Sequence, residues 1–145
     1  MTALVLAVAL TMSPMSAPSY DSGGSCGSYS WQRPPGHIRV FRIHHRGSSV
    51  PVRIQSVPID TYVGRVMASG AWPSRLIESG KVGAIAIRQY AVWMVLHTCR
   101  SWHGRRYDIT DSEQYYLDHR VPVRTAQAVA AVRGVTLIKN GRRFR

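Results

Sequence analysis

The longest apolar segment of the chain is "LIESGKVGAIAIRQYAVWMVLH", which runs from Leu76 to His97. Its apolar residues fall on most faces of a helix, so the pattern predicts a central helix that is largely buried. A helix of this kind must be covered by other elements, and the rest of the fold has to be built around it. Gly80 and Gly83 weaken the helix locally but let neighbouring elements approach it closely.

Two segments before this helix alternate apolar with polar residues: "HIRVFRI" from His37 to Ile43 and "VPVRIQSV" from Val50 to Val57. The turn-like "HHRGSS" separates them, so they are predicted to form an antiparallel pair. Strands that pack on a buried central helix, followed by a further helix and a hairpin, define an α+β fold class.

A first helix is predicted between the strands and the central helix, in "PIDTYVGRVMASGAWPS" from Pro58 to Ser74. Apolar residues recur there at helical spacing, and Pro58 suits a first helical turn. Gly70, Trp72 and Pro73 oppose continuation of the helix, so it should end in a corner. Corners of this kind can hold functional groups on a rigid scaffold, or they can be simple helix stops with a packed Trp.

After the central helix, "SWHGRRYDITDSEQYYLDH" has no clean period and is predicted to be a loop with short strands. A last helix is predicted from Thr125 to Gly134, with Thr125 as N-cap and Gly134 in a left-handed cap. The segment "VTLIKNGRRF" is typical of a hairpin, because Asn140-Gly141 favours a type I′ turn. The chain stops at Arg145, soon after the second strand begins, so the sequence suggests a product truncated at its C-terminus.

The chain has 145 residues, 45% of them hydrophobic, which fits one globular domain. Residues 1–17 resemble a secretory signal, with an apolar run and a small-residue stretch ending at Ala17, although a basic n-region is lacking. The apolar run is too short to span a bilayer. Residues 18–36 are rich in Ser, Gly, Tyr and Pro and are typical of a spacer, so the domain is predicted to occupy 37–145. These features favour an exported protein.

Cys26 and Cys99 are the only cysteines, which excludes metal sites of the four-cysteine kind. In an exported protein the two could form a bridge that pins the spacer to the domain. Two unpaired thiols are the alternative.

The formal charge of +12 and the pI near 10.9 predict attraction to polyanions: nucleic acid, anionic lipid, or the carboxylates and phosphates of a bacterial wall. Only Lys81 and Lys139 are lysines, and such an excess of arginine also arises in GC-rich genomes without selection for binding. No helix-turn-helix, zinc or aromatic-basic motif accompanies the charge, so nucleic acid is not favoured as a partner.

Four segments, taken in order, resemble the SpoIID/LytB domain of stage II sporulation protein D and the amidase enhancer LytB. They are "VPIDTYVGRVMAS", "ESGKVGAIAIRQYA", "YDITDSEQYY" and "AVAAVRGVTLIKNG". The resemblance covers Val50 to Gly141. It implies remodelling of bacterial peptidoglycan by an exported or wall-associated protein.

The sporulation members of this family are lytic transglycosylases, so the resemblance also implies a general acid. One carboxyl group protonates the glycosidic oxygen and then takes a proton from the 6-hydroxyl of the sugar as a 1,6-anhydro ring closes. The family places this acid at the end of the first helix. In this chain that position falls on Gly70, or on Ala71 when the alignment is anchored at Trp72, and neither residue can transfer a proton.

The resemblance leaves Asp111 and Glu113 as weak substitutes for the acid, although Asp111 more often orders a turn. Glu78 matches a non-catalytic glutamate of the family. Some relatives hold zinc in the loop that corresponds to "TDSEQYY", but this loop is two residues shorter and contains neither Cys nor His. No metal and no other cofactor is therefore expected.

The resemblance also suggests residues that bind substrate: Trp72, Arg88, Gln114 and Tyr116. The guanidinium of Arg88 suits a lactyl or peptide carboxylate, and its alternative role is an internal ion pair. Gln114 could bind an N-acetyl group, with the ring of Tyr116 nearby for stacking. These residues and the loop from Asp111 are predicted to line one groove.

The sequence thus predicts a SpoIID/LytB-type domain that engages the glycan strands of peptidoglycan and has lost its expected acid. One alternative is a non-catalytic glycan-binding or amidase-enhancing module, with a wall amidase as partner. A small basic nucleic-acid-binding protein is the other.

Overall fold

The computed structural model describes residues 29–43, 51–72, 76–140 and 142–143. Three helices are present in these residues: α1 (Ile59–Val66), α2 (Ile77–His97) and α3 (Val123–Ala131). A π-helical turn, Met67–Ala71, continues α1. The strands are β1 (His37–Arg42), β2 (Arg53–Pro58), β3 (Arg100–Trp102), β4 (Arg105–Tyr107), β5 (Ile109–Thr110), β6 (Ile138–Lys139) and β7 (Arg142–Arg143). The predicted α+β class is confirmed.

A three-stranded sheet with the order β2-β1-β5 covers one side of the helices. The predicted antiparallel pair is confirmed, with a register from His37 opposite Pro58 to Arg42 opposite Arg53. The sequence did not predict β5, which pairs parallel to β1 with Val40 opposite Ile109. This strand joins the loop after α2 to the main sheet.

The segment after α2 also contains a hairpin of β3 and β4. Its turn is formed by His103 and Gly104, which both have a positive φ, 47° and 74°. Two such residues in succession give the twist that a tight hairpin requires. The predicted loop with short strands is therefore a hairpin followed by an edge strand.

The core lies between the sheet and the helices, and α2 runs through its centre. Fully buried side chains come from β1, α1, β5 and α2, among them Ile38, Val40, Tyr62, Val63, Ile109 and Met94. The predicted central helix is confirmed, but it is not covered all round. Ile77, Val82 and Tyr90 are exposed at separate places on the helix, with Val82 56% exposed. Helix α2 therefore carries more apolar residues than the core buries.

Close packing at the glycines of α2 is confirmed. A Cβ on Gly80 would lie 3.2 Å from the Cβ of Ala128 in α3. A Cβ on Gly83 would lie 2.5 Å from Cγ of Trp72. These two positions let α3 and the corner after α1 approach the central helix.

The last helix begins earlier than predicted. The N-cap of α3 is Pro122, so Thr125 lies inside the helix and is not its cap. The backbone oxygen of Pro122 accepts the first helical hydrogen bond, from the N–H of Ala126 at 3.0 Å. Because Pro already has a helical φ, it starts the helix without a side-chain cap. Gly134 has a φ of 79°, as predicted for the glycine that follows the helix.

The C-terminal hairpin is confirmed as a pair of β6 and β7, with Lys139 opposite Arg142. Asn140 in its turn has a φ of 52°, as the predicted type I′ turn requires. Cys26 and the predicted signal, residues 1–17, lie outside the described residues. Among the residues described, no helix is long and apolar enough to cross a membrane.

The end of the predicted spacer packs on the helices. Pro35 is fully buried, and the backbone oxygen of Gly36 accepts a hydrogen bond from the N–H of Ile59 at 3.0 Å. Pro35 and Gly36 thus lie against the start of α1.

Candidate functional site

The corner after α1 is held by Ser69. Its hydroxyl donates to the backbone oxygen of Arg65 at 2.7 Å and accepts from the backbone N–H of Leu117 at 3.1 Å. One side chain therefore fastens the π-helical turn to the loop that follows β5. This contact brings together two of the segments that the sequence predicted to converge.

Gly70 ends the helical path with a φ of 95° and a ψ of −1°. No atom lies within 4 Å of the position that its Cβ would take, and the residue is exposed. Glycine adopts this left-handed conformation at little cost, whereas other L-residues are strained in it. Gly70, one of the two positions at which the family acid was expected, is therefore a backbone turn that opens to solvent.

Trp72 lies on the opposite side of the corner, against α2. Its indole N–H donates to the hydroxyl of Ser79 at 3.4 Å, and its ring covers the backbone of Gly83. The ring also lines a small cavity with Met67 and with Arg124 of α3. Trp72 thus fixes the direction of the chain after Gly70.

The loop after β5 is anchored by Asp111, which is buried. Its carboxylate accepts from Nε of Arg42 and from the backbone N–H of Ile43, both at 3.2 Å. Its own backbone oxygen accepts from the N–H of Tyr116 at 2.7 Å. These contacts order the loop and fix it to the end of β1.

Tyr116 is fully buried and stacks on Tyr62 of α1, with ring centroids 5.2 Å apart. Nη1 of Arg65 donates to its hydroxyl at 2.7 Å. Burial raises the pKa of both tyrosines above the ordinary value, so both hydroxyls keep their protons at neutral pH. The predicted stacking of a sugar on Tyr116 does not fit this arrangement, because neither face of its ring is open.

Gln114 lies between α1 and α2. Its side-chain oxygen accepts from the hydroxyl of Tyr62 at 2.9 Å, and its amide nitrogen lies 3.5 Å from the backbone oxygen of Ile87. Half-buried in this position, it connects the loop to both helices. Its one strong hydrogen bond leaves amide capacity for a ligand.

Tyr115 is the residue of this loop that sequence reasoning missed. It has a φ of 52°, which is uncommon outside glycine, and its side chain is 58% exposed. Strained backbone that carries an exposed aromatic ring is found at functional sites more often than elsewhere. The adjacent pair Tyr115-Tyr116 could have indicated an exposed ring in this loop, because only one of two adjacent loop tyrosines is expected to be buried.

The carboxylate of Glu113 is held by the guanidinium of Arg100 and by donors of Thr110. Its carboxylate binds both Nη atoms of Arg100, at 3.0 and 2.9 Å, and accepts from the backbone N–H of Thr110 at 2.6 Å. Burial alone would raise the pKa of Glu113, but the hydrogen bonds from Arg100 and Thr110 outweigh burial and lower it. A carboxyl group with a lowered pKa is ionised at neutral pH and cannot serve as a general acid there.

Every aspartate and glutamate in the described ranges forms an ion pair with an arginine or a lysine. Asp111 pairs with Arg42, Glu113 with Arg100, and Glu78 with Lys81. Asp118 receives Nη1 of both Arg42 and Arg65, at 2.8 and 2.9 Å. Asp60 and Asp108 complete the set. The carboxyl groups of the described residues are thus all held in ion pairs.

Arg88 is not brought to the corner. Its Nη2 donates to Asp60 at 2.7 Å, and Nη1 donates to the backbone oxygen of Val132 at 2.7 Å. Asp60 lies ten residues before Gly70, which corresponds to about 15 Å along a helix. The alternative role of Arg88, an internal ion pair, is the one observed, and the predicted single groove that would include Arg88 and Trp72 is not formed.

Within the described residues, no group of three or more His, Cys, Asp or Glu side chains could hold a metal ion. The loop from Thr110 to Tyr116 uses its acidic groups for ion pairs and turn hydrogen bonds. Of the residues that the structure describes here, the corner and its loop therefore offer hydrogen bonds and one exposed ring, and their carboxylates are engaged in ion pairs.

Residues 49–138 match the family model described as "SpoIID: Stage II sporulation protein". The match covers more than half of the chain and contains the corner, the loop after β5 and all of α2. No curated protein matches the chain significantly, and neither does any solved structure.

Proposed function

The chain belongs to the SpoIID family of stage II sporulation proteins, and from this premise we propose that it binds glycan strands of peptidoglycan without cleaving them. Family membership supports a function related to sporulation and the cell wall. We assign this binding to the corner after α1 and to the neighbouring loop after β5. It includes export of the protein to the cell wall.

One observation supports this proposal: the positions to which the family resemblance assigns the acid, Gly70 and Ala71, carry no carboxyl group, and Gly70 has a left-handed conformation. Ser69 joins the corner to Leu117, and Trp72 fixes the chain on α2. A scaffold without the proton donor can bind the same kind of strand, whereas lytic cleavage needs proton transfer to the glycosidic oxygen.

The contacts with sugar are proposed for Gln114, Tyr115 and Trp72. An exposed tyrosine offers an apolar face for a pyranose ring and a hydroxyl for a hydrogen bond. The amide of Gln114 is suited to an N-acetyl group. Tyr115 takes the stacking role that the sequence assigned to Tyr116, because its ring is the exposed one of the two.

Binding is tested by sedimentation of the protein with insoluble peptidoglycan and with glycan strands stripped of stem peptides. We expect Tyr115→Ala to reduce the bound fraction several-fold. Tyr29→Ala is the matched control, since Tyr29 is 47% exposed and lies outside the loop. Equal loss with both variants, or no loss with Tyr115→Ala, would contradict the assignment of the loop.

Cleavage is tested by incubating the unmodified protein with stripped strands and analysing the products by mass spectrometry. We expect no 1,6-anhydro sugars above the level of a buffer control. Ala71→Glu is the informative gain-of-function variant, because Gly70→Glu would strain the left-handed backbone. Formation of anhydro products by the unmodified protein would refute the proposal that it binds without cleaving.

A further inference from the structure

A cavity of about 470 Å³ lies at the end of α1 opposite the corner. Residues 31–36 form one wall, the first residues of α1 and the middle of α2 form the floor, and residues 133–136 form the other wall. Ligand pockets of proteins commonly have volumes of about 300–1,000 Å³. The cavity is thus large enough for a small organic molecule.

The lining of this cavity is mainly apolar, with a few charged groups. Trp31, Pro35, Pro58, Val92 and Val135 supply most of the apolar part. Asp60, Arg88 and Arg133 supply the charged part. An apolar wall that carries a few convergent polar groups is typical of a site that orients a ligand by its polar end.

Arg88 has an unused donor. Its side chain is 9% exposed, and both of its Nη atoms are occupied by Asp60, Val129 and Val132. Its Nε is buried and has no hydrogen-bond partner in the structure. Buried N–H groups are nearly always paired, so an unpaired one on a residue that lines a cavity requires an explanation.

Arg133 places a second guanidinium at the same cavity. Its side chain is 73% exposed, and its Nε donates to Asp60 at 2.8 Å. Within the described part of the chain its terminal amino groups make no hydrogen bond. Two arginines share one aspartate here, so the charged part of the lining has a net charge of +1, and a single negative charge would neutralise it.

We infer that this cavity is a binding site for a small carboxylate whose body is apolar, either a free acid or the C-terminal residue of a peptide. The carboxylate accepts hydrogen bonds from the terminal amino groups of Arg133 and lies beside the guanidinium of Arg88, and the apolar body lies against Trp31 and the prolines. This site lies away from the corner and does not depend on glycan binding.

The probe for the free acid is 3-phenylpropionate, and the probe for a peptide end is N-acetyl-D-alanyl-D-alanine. Each is titrated into the full ¹⁵N-labelled chain while the side-chain Nε–H signal of Arg88 is followed. We expect a saturable shift of that signal with at least one of them. The neutral isostere 3-phenylpropionamide should bind about tenfold more weakly than 3-phenylpropionate, since hydrogen bonds between charged groups are the stronger ones.

Two variants locate the site. Arg133→Gln should weaken binding of the probe about tenfold, as expected when a hydrogen bond to a charged group is removed. Arg120→Gln is the matched control, because Arg120 is also exposed but does not line the cavity, and it should leave the affinity unchanged. Amide spectra establish that both variants are folded.

The relative response to the two probes identifies the source of the carboxylate. Three results would overturn the inference: no shift of the Arg88 signal with either probe, equal binding of the acid and its amide, or equal loss of affinity with Arg133→Gln and Arg120→Gln.

Discussion

Single residues set the backbone conformation and the contacts of the corner after α1. The sequence located the corner correctly, because Gly70 and Trp72 interrupt a helical pattern. It allowed a positive φ at Gly70 without determining it, and it did not reveal the burial of Tyr116. A sequence shows which residues can adopt a positive φ, but which of them does so depends on the contacts of Ser69 and Trp72 on either side.

Replacement of Gly70 by alanine tests the left-handed conformation. A φ of 95° costs an L-residue roughly 1–2 kcal/mol, partly offset by the lower entropy of the unfolded chain. We expect Gly70→Ala to lower the free energy of unfolding by about 1 kcal/mol in urea titrations. Gly36→Ala is the control, because the Cβ would also meet no atom within 4 Å and no positive φ is involved. Equal stability of the two variants would contradict the backbone assignment.

The lowered pKa of Glu113 predicts how the stability of the protein depends on pH. A carboxyl group whose folded-state pKa is lowered stabilises the protein above its unfolded pKa, and this stability is lost as the pH falls through the folded value. Glu113→Gln removes the contribution at all pH values. We expect it to lower Tm at pH 7 by about 1–4 °C, since a partly exposed ion pair contributes about 0.2–1 kcal/mol.

The difference in Tm between the wild-type protein and Glu113→Gln should disappear in acid, below the lowered pKa, where the wild-type carboxyl is protonated as well. Thermal unfolding followed by circular dichroism between pH 7 and pH 3 measures it. A difference in Tm that stays constant over this range would mean that the charge of Glu113 is not what stabilises the loop.

Among the helices and strands, the sequence predicted those that are marked by a pattern of neighbouring residues. Alternation of apolar residues gave β1 and β2, and the apolar run gave α2. The strand β5 has two residues and pairs with β1, 69 positions away for Val40 and Ile109, so no local pattern marks it. Its position depends on Asp108 and Asp111, whose ion pairs with Arg39 and Arg42 flank the strand. Long-range pairs of this kind cannot be derived from spacing.

The glycines of α2 allow a test of how the corner is packed. Alanine usually favours a helix over glycine by about 1 kcal/mol, so a glycine that cannot be replaced reveals a contact. We expect Gly83→Ala to destabilise the protein and to change the fluorescence of Trp72, because the new Cβ would lie 2.5 Å from its ring. Gly80→Ala should cost less, since the Cβ would be 3.2 Å from Ala128. The opposite order in urea titrations would contradict this packing.

At the scale of the whole molecule, the site differs from its prediction because one groove was expected and two separate regions are found. The corner and the loop after β5 meet through Ser69, whereas Arg88 faces the cavity at the other end of α1. Motif order indicates which segments belong to a family but not which ends of a helix their side chains reach. The fold also decides which charges are left without a partner, because all described acidic residues are used in ion pairs.

This distribution leaves exposed arginines without acidic neighbours, among them Arg105, Arg106 and Arg120 in the described residues, on a chain with a formal charge of +12. Glycan strands stripped of stem peptides carry lactyl carboxylates, so attraction between the two should depend on salt. The Debye length falls from about 10 Å at about 0.1 M salt to about 3 Å at about 1 M. Over this range we expect the affinity for stripped strands, measured by sedimentation, to fall on the order of tenfold.

Chitin oligosaccharides carry the same N-acetyl groups but no carboxylates, and they separate charge from sugar recognition. Their binding rests on contacts such as those proposed for Gln114 and Tyr115, which are not screened by salt, so their affinity should change less than twofold over the same range. An equal salt dependence for both ligands would mean that binding does not distinguish the carboxylates. Two results together would contradict recognition of the sugar: no binding of the neutral chitin oligosaccharides, and equal affinity of Tyr115→Ala and the wild-type protein for stripped strands. The interaction would then be only an attraction between a basic surface and a polyanion.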